Sequence, residues 1–178
     1  MKLLLTSAGI TNDSIHKALM DLLAKPIAES NIVCIPTAIY PIPGGNGFAW
    51  QVLKELGEMG PKELAILELT TMPSILEEHW LPTLEAADII WVGSGITLYL
   101  SYWMQTSGFA NKLPELLKKA VYVGVSAGSM VVTHSLNLNR AELARTGIYY
   151  DDEYDEAAPP NAGSDQTLKL VDFVIRPP

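Results

Sequence analysis

The chain has 178 residues, 48% of them hydrophobic, with 12 basic and 20 acidic side chains and a net charge of −8. That length and apolar content fit one domain with a substantial core and exclude a disordered chain. The charge balance argues against nucleic acid or an anionic membrane surface as partner, because the long-range field repels phosphate, and no apolar run approaches a membrane span.

Leu3-Leu4-Leu5 opens a first strand that Ser7-Ala8-Gly9 ends. Asn12 or Asp13 can cap a helix from about Ser14, with Ile15, Leu19, Leu22 and Leu23 at helical spacing and Pro26 closing it. Asn31 to Pro36 reads as a second strand, apolar on both faces as in a parallel sheet covered by helices. It contains Cys34, the one cysteine, which reads as a small core residue and rules out an internal disulfide.

Prolines and glycines from Tyr40 to Gly47 predict a loop, followed by a helix from about Phe48 to Met59. Leu64 to Leu69 is a third expected strand, and a helical stretch from about Ser74 reaches past Leu84. Asp88 to Gly93 is a fourth strand that runs into Gly93-Ser94-Gly95. Leu98 to Met104 and Leu113 to Lys118 read as helix. Ala120 to Val125 is a fifth strand, and a helix from Ala127 to about Thr133 should follow it. Strands and helices alternate with short joints, which predicts an α/β fold with a parallel, doubly wound sheet. Beyond Ser135 the pattern weakens. The acidic run Asp151 to Glu156 reads as a solvated face, and its spacing matches no calcium loop. Val171 to Ile175 reads as a late strand.

Gly124-Val125-Ser126-Ala127-Gly128 at the end of an apolar strand is the pattern of a nucleophile elbow. Its glycines leave room for a sharp strand-to-helix turn that lifts the Ser126 hydroxyl to the carboxyl edge of the sheet. The Ala127 amide then points at the same spot and serves as an oxyanion donor, aided by the helix dipole. Gly93, Ser94 and Gly95 leave a second strand at that edge and can supply another amide or contact substrate. A phosphate cradle is disfavoured there, since the P-loop lysine is missing. No cofactor or metal is expected.

A serine hydroxyl needs a base. Of the three histidines, His16 lies early in the first helix and His79 beside Trp80 and Pro82. His134 would sit about 12 Å from Ser126 along an unbroken helix, beyond hydrogen-bond reach. No histidine occupies a later loop, which counts against an active hydrolase.

With these residues in view, the sequence resembles the peptidase E (dipeptidase E, S51 serine peptidase) family, to which cyanophycinase is related. The most specific segments are Trp91-Val92-Gly93-Ser94-Gly95-Ile96-Thr97-Leu98 and Gly124-Val125-Ser126-Ala127-Gly128-Ser129. The resemblance implies a three-layer sandwich like the class I glutamine amidotransferases over a single domain, 1–178. It also implies cleavage of short peptides with an amino-terminal aspartate, with Ser126 as nucleophile and Ala127 and Gly93 to Gly95 around the oxyanion. Ser94 and Ile96 replace a glycine and an asparagine of the family loop. Pro178 stands where the family places its histidine, and family chains continue by tens of residues beyond, which leaves a shortened C-terminus open. Asp151, Asp152 and Asp155 are candidates for the acidic partner, and Arg140, Arg145 or Arg176 could meet an acidic substrate.

Three readings follow. One is a serine hydrolase of short peptides or other small acidic molecules. The second is a family member with little or no peptidase activity that serves as a small-molecule binder or partner protein. The third, an amidotransferase relative, is disfavoured because that class carries cysteine at the elbow. A cytoplasmic monomer or homodimer is expected.

Overall fold

The computed structural model describes residues 1–136, 140–148, 150–151, 156–159 and 161–175. Asp152, Asp155, Arg176 and Pro178 lie outside them, as do the side chains of Arg140 and Asp151, and so do the expectations placed on those groups.

Five strands form one sheet: β1 (Lys2–Thr6), β2 (Asn31–Ile35), β3 (Glu63–Ile66), β4 (Ile89–Val92) and β5 (Val121–Val125). Their order is β1-β5-β4-β2-β3, and every pair is parallel. Strand side chains alternate between faces, and here both faces are apolar. Ile32, Cys34, Ile89, Trp91, Val121 and Val123 pack against Leu19 and Leu23 of α1 (Asp13–Leu23) and Leu56 of α2 (Gly45–Glu58). The opposite face, with Val33, Ile35, Ile90, Val92 and Tyr122, packs against three helices. These are α3 (Glu77–Glu85), α4 (Thr97–Thr106) and α5 (Phe109–Leu116). The result is a three-layer α/β sandwich around a doubly wound parallel sheet, as the alternation of elements predicts. No helix among the described residues is long and apolar enough to cross a membrane.

Asn12 is the cap of α1: its Oδ1 accepts the Ile15 N–H at 3.0 Å, satisfying a donor that the first helical turn leaves open. The helix ends at Ala24, in the left-handed region at φ 60°, ahead of Pro26.

Beyond small shifts in the ends of α3 and α5, four departures from the sequence reading matter. First, α2 begins at Gly45, inside the expected loop, after a 3-10 turn at Thr37–Ile39. Second, β3 stops at Ile66; the chain then bends so that Leu69 N–H donates to Thr37 Oγ1 at 3.1 Å. Third, the helix after the elbow, α6 (Ala127–Met130), is only one turn long. Thr133 Oγ1 donates to the Met130 carbonyl at 2.7 Å, offering the backbone an alternative to further helix. Fourth, Val171 to Ile175 is not a strand. The segment leading into it is held by the exit of α6, with Leu168 N–H donating to Val131 and Leu170 N–H to Val132, each at 2.8 Å. An apolar run signals burial equally well for a strand or for an irregular strap, and partners decide between them. Two short elements complete the description: helix α7 (Arg140–Thr146), and an antiparallel pair, β6 (Tyr150–Asp151) with β7 (Glu156–Ala157).

Candidate active site

β5 ends at Val125 and α6 begins at Ala127, so Ser126 alone forms the joint. Its backbone lies at φ 48°, ψ −105°, a conformation that costs a residue with a Cβ on the order of 1–3 kcal/mol unless its surroundings enforce it. Here they do. Ser126 N–H donates to the Thr6 carbonyl at 2.9 Å, and the Ser126 carbonyl accepts from Ser129 N–H at 2.8 Å and Met130 N–H at 2.9 Å. Ser129 Oγ donates to the Thr6 carbonyl at 2.8 Å and accepts the Thr6 N–H at 3.0 Å. Thr6 Oγ1 donates in turn to the Gly124 carbonyl at 3.0 Å. From below, the Tyr122 hydroxyl donates to the Gly128 carbonyl at 2.7 Å. Burial pushes that phenol far above the ordinary tyrosine range, so it remains a donor.

The two glycines of the elbow are sterically required. A Cβ on Gly124 would lie 2.7 Å from the Gly128 carbonyl oxygen, and one on Gly128 would be driven into the Val92 carbonyl. Strand, turn and helix therefore approach more closely than any side chain permits.

The second loop leaves β4 beside this joint. Gly93 N–H donates to the Ile35 carbonyl at 3.0 Å, and Ile96 N–H to the Ala38 carbonyl at 2.9 Å. Those two amides are committed to the scaffold, and Gly93 takes part as a wall. Gly95, at φ 137°, lies so close to Ala38 that a Cβ would collide with its backbone. Ile96 is buried, facing Leu98, Leu136 and Ala158. Ala127 is fully buried at the first position of α6, where a helix leaves its N–H without an intrahelical acceptor.

A cavity of about 770 Å³ opens over this edge, and Ser126, Gly93, Ser94 and Trp91 line it. Its remaining walls come from the loop after β1, from α1 through His16, and from α2 through Val52 and Glu55. Ser126 itself is 3% exposed. A second, smaller cavity of about 190 Å³ shares Val52, Glu55, Gly93 and Ser94 with the first.

The histidines separate clearly. His16, on the first turn of α1, lines the Ser126 cavity. His79 is exposed beside Glu78 on α3, 3.9 Å from its carboxylate. His134 is exposed past the end of α6, so the helical distance expected for it does not apply. Arg145 is exposed on α7.

The model of peptidase family S51 matches residues 3–177. The chain belongs to peptidase family S51. Solved structures agree on the fold. A peptidase E candidate from Listeria monocytogenes EGD-e superposes with a TM-score of 0.62 at 19% identity, covering 96% of this chain and 76% of that one. A peptidase from an acI-B1 actinobacterium gives 0.59 at 18% identity, covering 76% of this chain and 58% of that one. Comparison with curated proteins gives no match.

For this S51 chain, family membership supports a peptidase-type hydrolytic activity at the general level. Sequence reasoning had found the elbow serine and the glycine loop, which share one cavity. It gave no role to Thr6 or Ser129, although Ser129 adjoins the elbow motif, nor to Glu55. Nothing in the sequence around Glu55 marks it, because α2 reaches the site only through the sheet order.

Proposed function

We propose that this chain is a serine-type hydrolase of short peptides with Ser126 as its nucleophile. The observation that carries the reading is the enforced backbone of Ser126 at φ 48° where a buried strand meets a helix, facing a cavity. Ser126 Oγ attacks the scissile carbonyl and a base takes its proton. The Ala127 amide, with Ser94 or Gly95 opposite, holds the negative charge that develops on the carbonyl oxygen. The leaving amine takes a proton from the base, and water then hydrolyses the acyl-enzyme. His16 is the residue we assign as base, since it is the histidine among the described residues that lines the cavity with Ser126.

The test compares hydrolysis of a dipeptide panel, aspartyl dipeptides included, by the native chain, Ser126→Ala and His16→Ala. The proposal expects Ser126→Ala to lose roughly three orders of magnitude in kcat, with His16→Ala also impaired and its pH profile altered. Equal rates for the native chain and Ser126→Ala would overturn it.

A second reading, binding without turnover, draws on one observation. Ile96 is 1% exposed, so a position where the family resemblance implies a polar side chain offers substrate none. Peptide binding without cleavage by the native chain would favour it.

A further inference from the structure

The walls around Ser126 carry a charge pattern that the family resemblance does not suggest. Among the described residues, the two neighbouring cavities, which share part of their lining, carry one carboxylate, Glu55, one imidazole, His16, and no lysine or arginine. Glu55 stands where the cavities meet, one turn of α2 beyond Gln51, whose Nε2 donates to Glu55 Oε1 at 3.0 Å. That bond turns the carboxylate and leaves its second oxygen as an acceptor. The smaller cavity beyond it is apolar along Pro36, Ile39 and Phe48. Phe48 lines it while 56% of its surface stays exposed, so an apolar group entering there would cover surface now in water.

From this arrangement we infer that the site takes short peptides that combine a cationic side chain with an apolar one. The cation pairs with Glu55 and the apolar side chain fills the pocket at Phe48. Among the described residues, an acidic side chain in the same place meets a carboxylate and no lysine or arginine, which is unfavourable at close range. The inference rests on the proposed function for the position of the peptide, and it concerns binding preference alone.

It is tested on the full chain carrying Ser126→Ala, so that turnover does not enter, by calorimetric binding of Lys-Leu, Ala-Leu and Asp-Leu at pH 8. Lys-Leu binds about three- to fivefold more tightly than Asp-Leu, the size of an ion pair at a solvent-exposed rim. Glu55→Gln abolishes the difference and Glu55→Lys reverses it. Glu55 is exposed, so both variants fold, which their melting temperatures verify. Phe48→Ala weakens all three ligands by roughly fivefold. The inference is overturned if Asp-Leu binds as tightly as Lys-Leu, if Glu55→Gln leaves the ratio unchanged, or if none of the peptides binds. Cleavage by the native chain with a preference for aspartyl peptides would sink the inference and keep the hydrolase. The stated preferences without cleavage would do the reverse.

Discussion

Ser129 and Thr6 exchange two hydrogen bonds, the hydroxyl donating to the carbonyl at 2.8 Å and accepting the N–H at 3.0 Å. The same Thr6 carbonyl receives the N–H of Ser126. One residue of β1 thus fixes both ends of the turn that carries Ser126.

Ser129→Ala removes this brace. It leaves the partly buried Thr6 N–H without its acceptor, at a cost of about 1 kcal/mol. Denaturant unfolding measures the loss. Hydrolysis falls with it, because the strained turn relaxes, and Ser129→Cys, with a weaker hydrogen-bonding group, falls between alanine and the native residue. Unchanged stability in Ser129→Ala would show that the brace contributes nothing.

Gly128→Ala is more severe. Its methyl would meet the Val92 carbonyl, and neither backbone can yield without separating α6 from β4. The variant loses about 3 kcal/mol or more, read as a fall in melting temperature. Gly47→Ala is the control, since nothing lies within 4 Å of its would-be Cβ; it sits within α2 and should be neutral or stabilising.

The sequence disclosed the sheet because its central strands are buried on both faces: Ile32 to Ile35 and Ile89 to Val92 read as unbroken apolar runs. The elbow was legible for a local reason, since two glycines around a serine are needed wherever strand and helix come this close. What escaped notice was non-local. Thr6 and Ser129 meet where the end of β1 approaches α6, and Glu55 reaches the site by the placement of α2. Neither leaves a periodic or spacing signal. Val171 to Ile175 misled for the complementary reason: its composition suits a strand, but the backbone partners near it come from the loop after α6.

Asp88 supplies a prediction in pH. Partial burial alone would raise its pKa. The hydrogen bond from Lys25, at 2.7 Å, the Asn31 N–H at 2.9 Å and the charges of Lys25 and Lys119 outweigh that and hold it below the usual carboxylate value. A carboxyl depressed in the folded state stabilises the fold above its unfolded pKa and loses that contribution as pH falls through the folded value. Asp88→Asn therefore costs about 1–2 kcal/mol near neutrality. The gap to the native chain is constant down to the unfolded carboxylate value of about 4 and narrows as denaturation is repeated at pH values below it. A gap independent of pH would exclude the ionic contribution.

Cys34 is fully buried in β2, and burial, with a smaller contribution from the Glu68 charge, pushes its thiol up to about 12. At neutral pH the reactive thiolate is scarce. Iodoacetamide should modify the native protein at least roughly a hundredfold more slowly than the denatured chain, followed by mass spectrometry. Comparable rates would place the thiol in solvent.

The brace at Thr6 also dictates when the site can exist during synthesis. Among the described residues, β1 lies at the sheet edge with β5 as its sole strand neighbour, and Thr6 and Ser129 are 123 positions apart. As the ribosome releases the chain, Leu3, Leu4 and Leu5 emerge well ahead of β5 and must wait for it before they have this strand to join. Closing so long a loop is slow. The nascent chain therefore cannot brace the Ser126 turn until β5 and α6 have emerged, and in that interval the unpaired β1 is the part that a chaperone would need to shield.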